Sequence, residues 1–103
     1  MRPSSALLAL AALIWPVMAG AVSDARKSEL EHLVRQDCGS CHGMTLKGGL
    51  GKPLLPDELA ALDEAQIRDV ILEGMPGTPM PPWKSLLSRD DAAWIAGRLK
   101  KGF

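Results

Sequence analysis

The chain has 103 residues with twelve basic and twelve acidic side chains, so its formal net charge is zero. No basic run is longer than a pair such as Lys100-Lys101, which argues against the clustered positive charge of a nucleic-acid-binding surface. Near the start, one basic residue, Arg2, precedes an apolar run from Ala6 to Trp15. That run is shorter than the ~20 residues needed to span a bilayer. Pro16 breaks it, and Ala19, Gly20 and Ala21 supply the small-x-small pattern of a cleavage site. The expectation is a signal peptide over residues 1–21, cleaved after Ala21, with an uncleaved anchor as the competing reading. Residues 22–103 then form one domain with eleven basic and twelve acidic residues, small enough to need a staple or a cofactor.

Four helical patterns follow, and no segment alternates as a strand does. The first covers residues 24–42. Ser28 with Glu31 reads as a capping box, with an earlier start near Ser23 as the other possibility. Leu30, Leu33 and Val34 form an apolar stripe, and helical arithmetic extends it to Cys38 and Cys41. Between Gly43 and Pro56, four glycines and two prolines predict a loop. A short helix over 56–62 has proline at its first position. The helix over 64–73 is capped by Asp63 with Gln66, turns Ile67, Val70 and Ile71 inward, and ends at Gly74. Four prolines between Met75 and Trp83 argue against helix there. Ser88 with Asp91 starts the last helix, over 89–101, whose inner stripe is Ala92, Ile95, Ala96 and Leu99. The fold class is all-α.

The stretch Cys38-Gly39-Ser40-Cys41-His42 carries the chemistry. Cys-x-x-Cys-His is the attachment signature of haem c. Two thiols at this spacing reach the two vinyl groups of one porphyrin, and the adjoining imidazole is held under the ring, aimed at the iron. A zinc site would need two more ligands, and only His32 remains outside the motif. A thioredoxin-like dithiol would sit in a βαβ unit, which the pattern lacks. A plain disulfide would leave His42 without a role. For the sixth iron ligand, Met44 lies too close to His42 in sequence, and Met1 and Met18 fall in the signal peptide. Met80 and Met75 remain. Pro79, Pro81 and Pro82 stiffen the segment around Met80, which favours it, while Met75 reads as packing. His/Met ligation saturates the iron, so the expected role is electron transfer rather than catalysis.

The chain resembles the monohaem class I cytochromes c over nearly all of residues 22–103. Within that group, "LVRQDCGSCHGMTLKGGLGKPL" and "GTPMPPWKSLLS" resemble cytochrome c55X, the NirC-type proteins of denitrifying bacteria. The resemblance implies thioethers at Cys38 and Cys41, a proximal ligand at His42 and a distal ligand at Met80. It also implies a periplasmic partner of the haem-cd type nitrite reductase, acting in electron donation or in maturation of the reductase's haem d.

Other residues have two readings each. His32 is either an iron ligand or, falling ~200° from the apolar stripe, a residue of a solvated face, and the wheel favours the second. Trp83 is either a core aromatic or an indole against the haem edge. Lys47, Lys52 and Lys84 are solvated, or form a rim that steers an acidic partner. Trp94 lies off the inner stripe of the last helix, packing on a neighbouring loop or anchoring an interface.

Overall fold

Ser23 opens the first helix, its hydroxyl accepting a bond from the Arg26 amide at 3.1 Å. This computed structural model describes residues 22–103, and the cleavage site expected after Ala21 lies outside them. Five α-helical segments make up the regular structure: α1 (Asp24–Leu33), α2 (Gly39–His42), α3 (Pro56–Leu59), α4 (Glu64–Glu73) and α5 (Arg89–Lys101). The fold is all-α, as the patterns predict. Ser28 lies inside α1, so the capping box expected there is replaced by the earlier cap.

Residues 24–42 are not one uniform helix. Between α1 and α2 the chain makes a π turn, Val34–Cys38, in which the Gly39 amide bonds the Val34 carbonyl. A bond to the fifth residue back inserts one extra residue per turn and rotates everything after it. The buried stripe therefore runs Leu30, Val34, Gly39, where uninterrupted arithmetic would place Cys38. Cys38 and Cys41 are both turned to half-buried positions.

α3 is also shorter than the 56–62 expected. Asp63 must be extended (φ −83°, ψ 166°) to cap α4, so the chain leaves the helix after Leu59. The other two helices match their expected bounds, each opened by a capping box, Asp63 with Gln66 and Ser88 with Asp91, but Val70, expected on the inner face of α4, is only half-buried beside Ile67 and Ile71.

α5 is the central element. Ala92 and Ala96 are fully buried on it, beside Ile95 and Leu99, while α4 contributes Ile67 and Ile71 and α1 contributes Leu30. Leu46, from the loop after α2, and Leu87, from the segment before α5, complete this single cluster. Two polar ties fix α1 to α5. Arg98 reaches Glu31 at 3.2 Å and also stacks on Phe103 at 4.7 Å. Arg26 grips Asp91 through Nε to Oδ1 at 3.2 Å and Nη2 to Oδ2 at 2.9 Å. The same carboxylate accepts the Ser88 amide at 3.0 Å, so one buried group closes a helix cap and an interhelical pair.

Bonds from Arg26 and Ser88 hold the Asp91 carboxyl below its ordinary range. A depressed carboxyl stabilises the fold above the unfolded value of about 3.9, and loses that contribution as pH falls through the folded value. Asp91→Asn is expected to lower the unfolding free energy at neutral pH by roughly 1–2 kcal/mol, a cap and a charge-assisted bond together. Denaturant titration should show the gap to wild type closing below about pH 4. A gap independent of pH would show that the carboxylate charge is not what holds the helices together.

Candidate haem site

The site is built on the end of the first helical stretch. Cys38 closes the π turn, and Cys41 and His42 follow on α2. Both cysteines are free thiols, so the disulfide reading is not realised. Burial, with a smaller contribution from Asp37, pushes the Cys38 thiol up to about 11. Among the described residues no group of three or more His, Cys, Asp or Glu is placed to hold a metal ion.

The loop after α2 turns straight back over the motif. Gly43 takes φ +93°, and the amides of Gly48 and Gly51 then bond the carbonyls of His42 and Cys41 at 2.8 and 2.7 Å. This brings the Lys52 carbonyl to His42 Nδ1 at 2.7 Å. A carbonyl only accepts, so Nδ1 carries the proton and donates. In a neutral imidazole the other nitrogen, Nε2, then keeps its lone pair for a metal. Gly51 makes the approach possible, because a Cβ there would lie 2.6 Å from Nδ1 and Cε1 of the ring. Two free thiols and an imidazole oriented by a carbonyl are the donor set that haem c requires, and the residues fit the group.

Met80 lies on the loop between α4 and α5. Gly74, at φ +69°, ends α4 and passes directly beneath this loop; a Cβ on it would meet the Met80 carbonyl at 2.7 Å. The loop then closes on itself. The Met75 amide bonds the Met80 carbonyl at 3.2 Å, and Thr78 donates its hydroxyl to the Met75 carbonyl at 2.7 Å. The Met80 amide, the only donor from residue 79 to 82, reaches the Thr78 hydroxyl at 3.3 Å. Trp83 bonds back to the Ile71 carbonyl at 3.0 Å and packs against the core. Met80 is half-buried, whereas Met75, expected to pack, is 50% exposed. Both loops are thus anchored in the same core, one through Leu46 and the other through Trp83.

The remaining candidates separate. His32 is exposed on α1. Lys47 and Lys52 are exposed, and among the described residues neither forms an ion pair, but Lys84 pairs with Glu73 at 3.2 Å. Trp94 is half-buried against the core and lines a shallow pocket of about 220 Å³ with Glu64 and Gly97. Sequence reasoning missed the Lys52 carbonyl and Gly51. The run Gly48-Gly49-Leu50-Gly51 was the available signal, since glycines that dense mark a close backbone approach.

Fold and site together define a c-type cytochrome with one covalently bound haem c. The comparisons agree. A family model described as cytochrome c oxidase, cbb3-type, subunit III, matches residues 25–97. Cytochrome c55X of Paracoccus denitrificans is 54% identical over 94 residues, 91% of this chain and 91% of that protein. A solved structure of the c-type cytochrome NirC superposes with TM-score 0.77 at 48% identity, covering 79% of this chain and 95% of that one. Dihydro-heme d1 dehydrogenase of Pseudomonas aeruginosa is 44% identical over 75% of this chain, but only 15% of that protein is covered. The chain belongs to the matched domain family and to the cytochrome c55X family.

Gly51→Ala should push the His42 ring from the Lys52 carbonyl and cost the holoprotein about 1–3 kcal/mol of stability, the range for overpacking. Denaturant unfolding of the purified variant checks this. An unchanged midpoint would mean the ring does not press on Gly51.

Proposed function

We propose that the protein is a periplasmic electron carrier of denitrification, delivering electrons to a haem-cd type nitrite reductase, with no enzymatic activity of its own. In this reading residues 1–21 direct export and are removed after Ala21. Cys38 and Cys41 form the thioethers, His42 is the proximal ligand and Met80 the distal one. The observation that carries it is the His42 Nδ1 to Lys52 carbonyl bond. It fixes the tautomer and the ring angle, and raises the basicity of Nε2. When bound, the haem supplies a one-electron centre. The chain's part is to hold both ligands still and leave no coordination site for oxygen or nitrite. Among the described residues no helix is long and apolar enough to cross a membrane, which suits a carrier that must diffuse.

A second reading is electron exchange during maturation of the reductase's haem d. Its support is the likeness to dihydro-heme d1 dehydrogenase, where 44% identity falls on a segment amounting to 15% of that larger protein.

Met80→Ala should abolish the far-red sulfur-to-iron absorption band of the oxidised protein and lower its potential, while Met75→Ala leaves both intact. The reverse pattern would assign the ligand to Met75, and carbon monoxide binding to the reduced wild type would contradict saturation. Deleting the gene separates the two roles. A complete but electron-starved reductase is expected for a carrier, and a reductase lacking haem d would establish maturation instead.

A further inference from the structure

Leu50 is 92% exposed, more than any other large hydrophobic residue among those described. Its neighbours explain where it points. A Cβ on Gly49 would lie 2.8 Å from the Cys41 carbonyl, and one on Gly51 would lie 2.6 Å from the His42 ring. Both flanking positions therefore face inward onto the attachment motif, and the one side chain between them projects away from it. The loop that carries it is held at three points, by Gly48 to His42, Gly51 to Cys41, and His42 to Lys52. An apolar knob is thus displayed at fixed position, one residue from the amide that bonds the Cys41 carbonyl.

Charge marks the same loop. From Gly43 to Leu55 there are two lysines, Lys47 and Lys52, both exposed, and no acidic residue. The next stretch, residues 56–73, holds six acidic residues against Arg68 alone. The loop itself is therefore positive and apolar, and the segment that follows it is acidic. Lys84 does not add to this positive charge, being paired with Glu73.

We propose that Leu50, flanked by Lys47 and Lys52, is the docking contact for the redox partner, which presents an apolar recess edged with carboxylates. The proposal rests on the electron-carrier reading and names the surface that it uses. Leucine supplies the short-range hold, and the lysines orient the encounter. A contact of this size suits the small, rapidly released interfaces of redox pairs. Its place beside the proximal histidine puts the partner near the centre from which it takes electrons.

The two contributions have separate kinetic signatures. In stopped-flow reduction of purified haem-cd type nitrite reductase by the reduced holoprotein, Leu50→Gln should weaken the complex roughly tenfold, at low and high salt alike, the expected loss for one apolar anchor. Lys47→Gln should slow association at low salt only, because rim charges are screened over ~8–10 Å. The far-red band and the potential should stay unchanged in both variants. Normal kinetics for Leu50→Gln beside an active wild type would overturn the docking contact and leave the carrier reading intact. An altered band or potential would show that Leu50 covers the cofactor, which also overturns it. If Trp94→Ala weakens the complex and Leu50→Gln does not, the partner docks on α5. A wild type that passes no electrons to the reductase would sink the carrier reading and the docking contact together.

Discussion

The bond from His42 Nδ1 to the Lys52 carbonyl is the constraint around which this small domain is arranged. An imidazole serves a metal only if its far nitrogen is deprotonated and correctly aimed, and one acceptor on the near nitrogen secures both. To bring a backbone carbonyl that close, the chain must reverse within ten residues of the histidine. The reversal consumes the glycines. Gly43 supplies the positive φ, Gly48 and Gly51 supply amides to the motif's own carbonyls, and Gly51 leaves room for the ring. Loop and motif are therefore one hydrogen-bonded unit.

That unit needs a fixed floor, which α1 and α5 provide. Leu30 and Val34 pack into the cluster around Ala92, Ile95 and Ala96, and the ion pairs at Asp91 and Glu31 close the two ends of the contact. The inner face of α5 is narrow because two of its four stripe residues are alanines. Small side chains let helices approach closely, and in a domain of this size close approach must replace bulk. Asp91 carries a heavy share here, since its removal would loosen the α5 cap and the α1 contact at once.

Features governed by nearest neighbours were legible in the sequence. The caps of α4 and α5, the termination at Gly74 and the Cys-x-x-Cys-His motif each depend on residues within a few positions, and all appear where expected. What escaped depends on partners distant in sequence. The π turn shifts Gly39 to the buried position where uninterrupted arithmetic puts Cys38, and no periodicity announces that shift. α3 yields its last turn to the cap of α4. Lys84 reads as a free loop cation until α4 brings Glu73 beside it. A carbonyl is invisible to motif reading, because every residue has one; only the folded loop reveals that Lys52's is the one used.

The two loops solve the same problem by different means. The His42 loop is glycine-rich and gains rigidity from bonds to the motif it covers. The Met80 loop is proline-rich and gains it from fixed φ angles and from a ring of bonds among Met75, Thr78 and Met80. Glycine was required in the first because backbone must touch an imidazole at 2.7 Å. Proline stiffens the second by its fixed φ, without the backbone bonds to a motif that the first loop uses. In both, bonds or prolines limit the conformational entropy left to the loop, so less remains to be lost when a partner arrives. Electron exchange between two oxidation states then demands little rearrangement of the polypeptide, and the same stiffness lets a side chain such as Leu50 stand exposed in one defined position.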